Sequence, residues 1–161
     1  MARKAKYISL ALALIGLLCL CACGAQGGGE AQPVDMQAVY DSIAQQLELP
    51  QMMELSEKRM SNYYGIEASE CPQAVVMLSE AGLSVDEIWL IEASGDEEAA
   101  RIEEVALSHI TQLCAETEKY SPELYAVCKN GQVIRQGANV ALFISPDAET
   151  MASIFREALG K

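Results

Sequence analysis

The chain has 161 residues, 51% of them apolar, with 23 acidic and 11 basic side chains. That length supports one domain with a real core. The formal charge of −12 excludes nucleic acid as a partner, because an acidic surface repels phosphate-rich polymers and anionic headgroups alike.

The amino terminus is organised differently from the rest. Arg3, Lys4 and Lys6 precede an apolar run from Tyr7 to Ala22, and no acid occurs before Glu30. Basic, apolar and small segments in that order predict a secretory signal peptide over residues 1–22. The run is shorter than the ~18 residues expected of a spanning helix. The basic head stays in the cytoplasm, so the chain beyond the apolar run is exported. Without residues 1–22, eight basic residues face 23 acidic ones, a formal −15.

Leu20-Cys21-Ala22-Cys23 closes the apolar run and resembles the lipobox of bacterial lipoproteins. In that motif an aliphatic residue lies three positions before the modified cysteine and a small residue just before it. Leu20, Ala22 and Cys23 match, while Cys21 stands where Ser, Ala or Thr is commoner. The resemblance implies cleavage between Ala22 and Cys23. It also implies a diacylglycerol-type lipid on Cys23, and a cell-membrane protein facing the extracytoplasmic side. The competing readings are an uncleaved membrane anchor and a metal cluster of Cys19, Cys21 and Cys23. The cluster is disfavoured because thiolate ligands need a folded frame. Gly24 to Pro33 then reads as a flexible tether, so that residues 23–34 link the lipid to the domain. Ten such residues span on the order of 16–19 Å as a coil.

Residues 35–161 read as a single α+β domain. Asp35 is an expected N-cap, followed by Met36, Val39, Tyr40, Ile43 and Leu47 at helical spacing, with Pro50 as the stop. Met53 to Ile66 predicts a short helix and a turn at Gly65. Gln73–Met77 and Val85–Ile91 predict two antiparallel strands. Ser94 and Glu97 suggest a capping box for a helix whose stripe is Ile102, Val105, Ala106, His109, Ile110 and Leu113. Three strands are expected next, at Leu124–Lys129, Gln132–Arg135 and Asn139–Ile144, with turns at Asn130-Gly131 and Gly137. Ser145-Pro146 predicts the start of the last helix, with Met151, Ile154 and Phe155 inward. The order α-β-β-α-β-β-β-α implies a mainly antiparallel sheet of about five strands with helices on one face. Several strands are apolar on both sides, so the second face needs a cover, either the first helix or a partner.

The lipobox, the glycine-rich tether and this element order together resemble a family of small lipoproteins from anaerobic Gram-positive bacteria that carry a domain of unknown function. The matching stretches are "DEIWLIEA" (Asp86–Ala93), the acidic helix after it, "YSPELY" (Tyr120–Tyr125), the hairpin, and the closing strand and helix. The resemblance spans roughly Asp35 to Lys161 and brings no catalytic residues with it.

No residue set in the domain reads as a catalytic or metal site. His109, the only histidine, lies on an apolar stripe with no carboxylate partner visible from spacing, which predicts a packing role. Cys71, Cys114 and Cys128 remain after lipidation. A Cys114–Cys128 disulfide is one expectation and buried free thiols the other. Glu97, Glu98, Glu103 and Glu104 lack the alternation of a calcium loop and read as a solvated face. The expectation is a membrane-anchored, non-catalytic binding domain with no cofactor beyond its covalent lipid. Its partners would be the membrane, through the anchor, and a protein or small molecule. The alternative is a small envelope thiol-dependent enzyme or redox protein using Cys71, Cys114 or Cys128.

Overall fold

The computed structural model describes residues 34–160. The readings for the signal peptide, the lipidated Cys23 and the tether fall outside the described residues.

Helix α1 (Met36–Gln46) starts where expected, with the Asp35 carboxylate accepting from the Gln37 and Ala38 amides at 2.9 and 3.1 Å. Met36, Val39 and Ile43 form its buried stripe. Strand β1 (Met52–Glu54) comes next, then α2 (Glu57–Tyr64), which ends on Gly65 at φ +64°. That left-handed C-cap is where a Cβ would be strained. A 3-10 turn (Ala68–Glu70) leads into β2 (Gln73–Ser79) and β3 (Glu87–Glu92). Helix α3 (Asp96–Thr117) is the longest among the described residues, and α4 (Pro122–Lys129), β4 (Gln132–Gln136), β5 (Asn139–Ile144) and α5 (Ala148–Ala158) follow it.

The five strands form one sheet in the order β1-β2-β3-β5-β4, and every neighbouring pair is antiparallel. The fold is therefore α+β with a five-stranded antiparallel sheet, as the sequence implies. The helices, however, cover both faces rather than one. Trp89, Ile91, Val140, Leu142 and Ile144 point into one core with Ile102 and Ala106 of α3. Ile88, Leu90, Ala141 and Phe143 point into a second core with Met36, Val39 and Ile43 of α1 and Met151, Ile154 and Phe155 of α5. The physical reason is the pair of central strands. A strand buried on both faces must be apolar at consecutive positions, and β3 and β5 both are. Each fully buried large side chain contributes about 1.5–3 kcal/mol, so neither face could be left open.

Three local expectations change. Leu124–Lys129 is helical, not a strand: the Ser121 hydroxyl accepts from the Leu124 amide at 3.3 Å and Pro122 takes the first helical turn. The sheet keeps five strands because β1, which the pattern does not reveal, supplies the missing one. Asn130-Gly131 is accordingly no hairpin. Asn130 (φ −90°) caps α4, and Gly131 is packed closely rather than twisted. A Cβ there would lie 3.0 Å from the Cys128 carbonyl and 3.1 Å from Ile110 Cδ1. The hairpin of this region is β4–β5, with Gly137 at φ +57°. Ser94 and Ser145 are not N-caps either. Gly95 precedes α3, and α5 begins after Asp147, with Ser145 accepting from the Asp147 and Ala148 amides to form the turn before it.

Candidate functional site

Glu87 opens β3 and is buried, with 8% exposure. A buried carboxylate is costly unless its oxygens are hydrogen-bonded, and here three elements converge on one of them. His109, from the middle of α3, places Nε2 at 2.8 Å from Glu87 Oε2. Trp89, two residues along β3 and therefore on the same face, donates its indole N–H at 3.2 Å. Tyr64, the last residue of α2, reaches it with its hydroxyl at 3.5 Å, the longest and weakest of the three. With Nε2 serving the carboxylate, the proton of a neutral imidazole is assigned to Nε2, and Nδ1 keeps its lone pair.

The three rings pack on one another as well. Tyr64 lies 4.3 Å from Trp89 between centroids, Trp89 stacks on His109 at 5.4 Å and 22°, and Tyr64 meets His109 edge-on at 5.1 Å and 72°. Burial, and then the Glu87 charge, hold the Tyr64 hydroxyl above the ordinary tyrosine range, so it stays a donor.

The cluster reaches the surface at a shallow depression of about 250 Å³, lined by Tyr63, Tyr64, Val105, Ser108, His109 and Gln112. Tyr63 stands at its rim, 63% exposed, and meets Tyr64 edge-to-face at 6.2 Å. Among the described residues, larger hollows lie elsewhere. One, of about 410 Å³, sits beside Leu55, Met60 and Ala74. The other, of about 480 Å³, is acidic and lined by Glu70, Glu97, Glu98, Arg101 and Glu104. In the acidic hollow Arg101 is already paired with Glu70, and Glu103 of the same helix pairs with Arg135 at 2.7 Å. Neither hollow brings together a buried charge and aromatic rings.

The sequence places His109 correctly on a packed stripe but misses its carboxylate, which arrives from a strand 22 residues earlier. The one readable hint is the Glu87/Trp89 spacing, which puts a carboxylate and an indole on one face of a strand.

The three cysteines among the described residues are free thiols. Burial pushes the Cys71 thiol up to about 11, with Glu70 adding to the shift and Arg101 opposing it. Cys128 is fully buried, and its thiol is also raised, first by burial. Nearby Cys114 of α3 adds to the upward shift of Cys128 in α4. The Thr117 hydroxyl lies 3.7 Å from the Cys128 sulfur.

Residues 45–145, more than half of the chain, match the model of a family described as a domain of unknown function. The chain belongs to the DUF4358 family. All four members of the Glu87 cluster and all three cysteines fall inside the matched part of this DUF4358 domain, as do the whole sheet, α3 and α4. Helix α5 and all but the last two residues of α1 fall outside it. No curated protein and no solved structure is matched by the chain. Among the described residues, no helix is long and apolar enough to cross a membrane.

Proposed function

We propose that this DUF4358 domain is held at the extracytoplasmic face of a membrane by a lipid on Cys23 and binds a ligand there without catalysis. The observation that carries the binding reading is the Glu87 cluster. Three donors from three elements tie one carboxylate and brace three rings behind an open depression. Such bracing locks side chains ahead of contact, which lowers the ordering cost of recognition. A diacyl anchor suits a domain on a flexible tether, because each buried CH₂ contributes about 0.8 kcal/mol and two chains hold durably.

A thiol-dependent enzyme is less well supported. A nucleophilic cysteine needs its thiolate favoured, and burial shifts Cys71 and Cys128 the other way. One observation favours a second reading. A carboxylate that fixes one imidazole nitrogen leaves the other as a base, the arrangement used in acid–base catalysis, and Glu87 and His109 have it.

Cys23→Ser tests the anchor. The variant should lose metabolic lipid labelling and either leave the membrane or stay unprocessed, and unchanged labelling refutes the assignment. Hydrolysis of ester or amide substrates that is lost in His109→Gln would favour the catalytic reading over the binding one.

A further inference from the structure

We infer that the depression over the Glu87 cluster takes a small quaternary ammonium cation. The argument starts from what its lining offers. Tyr63, Tyr64, Val105, Ser108, His109 and Gln112 include no lysine or arginine. The tyrosine rings stand nearly at right angles to one another, at 83°, and Tyr64 and His109 at 72°. Ring faces carry negative quadrupole density that attracts a cation within about 6 Å. The polar groups at the rim are weighted toward acceptors. His109 spends its Nε2 on Glu87 and keeps Nδ1. Gln112 spends its amide nitrogen on Glu116 at 3.0 Å and keeps its carbonyl oxygen. Tyr64 directs its hydroxyl inward to Glu87.

Behind the rings lies the Glu87 carboxylate. Among the described ion pairs its partner is His109, with no lysine or arginine on it. A negative charge set behind aromatic walls in a low-dielectric layer projects its field into the depression. The ring faces and the carboxylate behind them together favour a positive ligand. A primary ammonium brings three N–H donors, one more than the two acceptors, His109 Nδ1 and the Gln112 carbonyl oxygen, that the neighbouring bonds leave open. A methylated ammonium asks for ring contact instead, and aromatic walls are how such groups are held. A volume of about 250 Å³ has room for one small headgroup. The surrounding charge, −15 from residue 23 onward, disfavours a phosphate attached to that headgroup.

This inference deepens the binding reading and rests on it, but not on the anchor. Failure to bind the cation removes the ligand class, while unchanged lipid labelling of Cys23→Ser removes the anchor, so the two failures are distinct. The test uses the full chain in a detergent without ammonium groups. Choline chloride is titrated against sodium chloride at matched ionic strength. Trp89, the only tryptophan in the chain, packs against His109 and Tyr64 and reports by its emission. The expected result is a saturable change with choline alone. Tyr63→Ala should weaken it about fivefold with an unchanged far-UV spectrum, and Tyr63→Phe should retain it. Three results would each overturn the inference: no saturation, equal binding of the neutral analogue 3,3-dimethylbutan-1-ol, or full binding by Tyr63→Ala.

Discussion

Glu87→Gln keeps the shape of the buried side chain and removes its charge, so it isolates what the carboxylate does. In the native domain His109 and Trp89 donate to Glu87 Oε2 at 2.8 and 3.2 Å. Bonds to a charged acceptor are worth about 1.5–3 kcal/mol each, against about 0.5–1.5 for neutral ones. The change therefore costs about 1 kcal/mol for each of these two bonds. The 3.5 Å contact from Tyr64 adds little. The side chains of His109 and Glu87 are only 20% and 11% exposed, so solvent screening does not erase the difference. The expected destabilisation is about 2 kcal/mol, roughly 6–10 °C in Tm for a domain of this size. Urea unfolding, followed both by Trp89 emission and by far-UV circular dichroism, measures it, with an unchanged m-value as the check that the same surface is exposed. A variant within about 0.5 kcal/mol of the parent, which is the range of an ordinary surface change, would show that Glu87 is not the tie that holds this cluster.

Gly131→Ala should cost about 1–3 kcal/mol by overpacking, because the new Cβ meets a backbone carbonyl and Ile110; a neutral Tm would show that the α4–β4 junction gives way. Alkaline stability should fall from about pH 9, because the unfolded chain releases the Cys71 proton near its ordinary 9.0 while the folded one holds it to about 11. The folded state binds more protons in that window, so stability declines with rising pH and levels off above it; Cys71→Ala should flatten the fall in urea midpoints across pH 9–11. In alkylation of the folded protein at neutral pH, half-buried Cys114 should react before buried Cys71 and Cys128, as judged by mass spectrometry, and simultaneous labelling of all three would contradict the packing. A thiol count on denatured, unreduced domain should find Cys71, Cys114 and Cys128 all free, and a single free thiol would mean that Cys114 and Cys128 had joined.

The parts of the fold that are legible in the sequence are those with one dominant period. The stripes of α1, α3 and α5 and the double-sided apolar runs of β3 and β5 are all of this kind. Strand β1 is three residues long, too short for any period to show beside the helix formers around it. Helix α4 is disguised by its own composition, since Leu124, Ala126 and Cys128 alternate as a strand would. Its true signal, Ser121-Pro122, is the same cap chemistry that the sequence displays at Ser145-Pro146, where the helix begins later. Propensity cannot rank two such sites, because tertiary packing decides which one nucleates. The Glu87 cluster is hidden for a different reason. Tyr64, Glu87 and His109 come from three elements, and no spacing rule joins residues that only the sheet register and the α3 packing bring together.

The register of the two central strands also bears on how the domain is made. Glu87 pairs with Ile144 and Glu92 with Asn139, so β3 waits for a partner synthesised after α3, α4 and β4. Until β5 arrives, Trp89 and its neighbours on β3 have one unpaired edge. The core beyond β3 also lacks α5, which follows β5. Pairings across long sequence separations form slowly, because loop-closure entropy is spent before the contacts return it. Nascent chains would thus pass through a stage with a naked apolar strand, the kind of species that aggregates. The sheet closes only once β5 is present, which makes a cut before Asn139 far more damaging than its distance from Glu87 suggests.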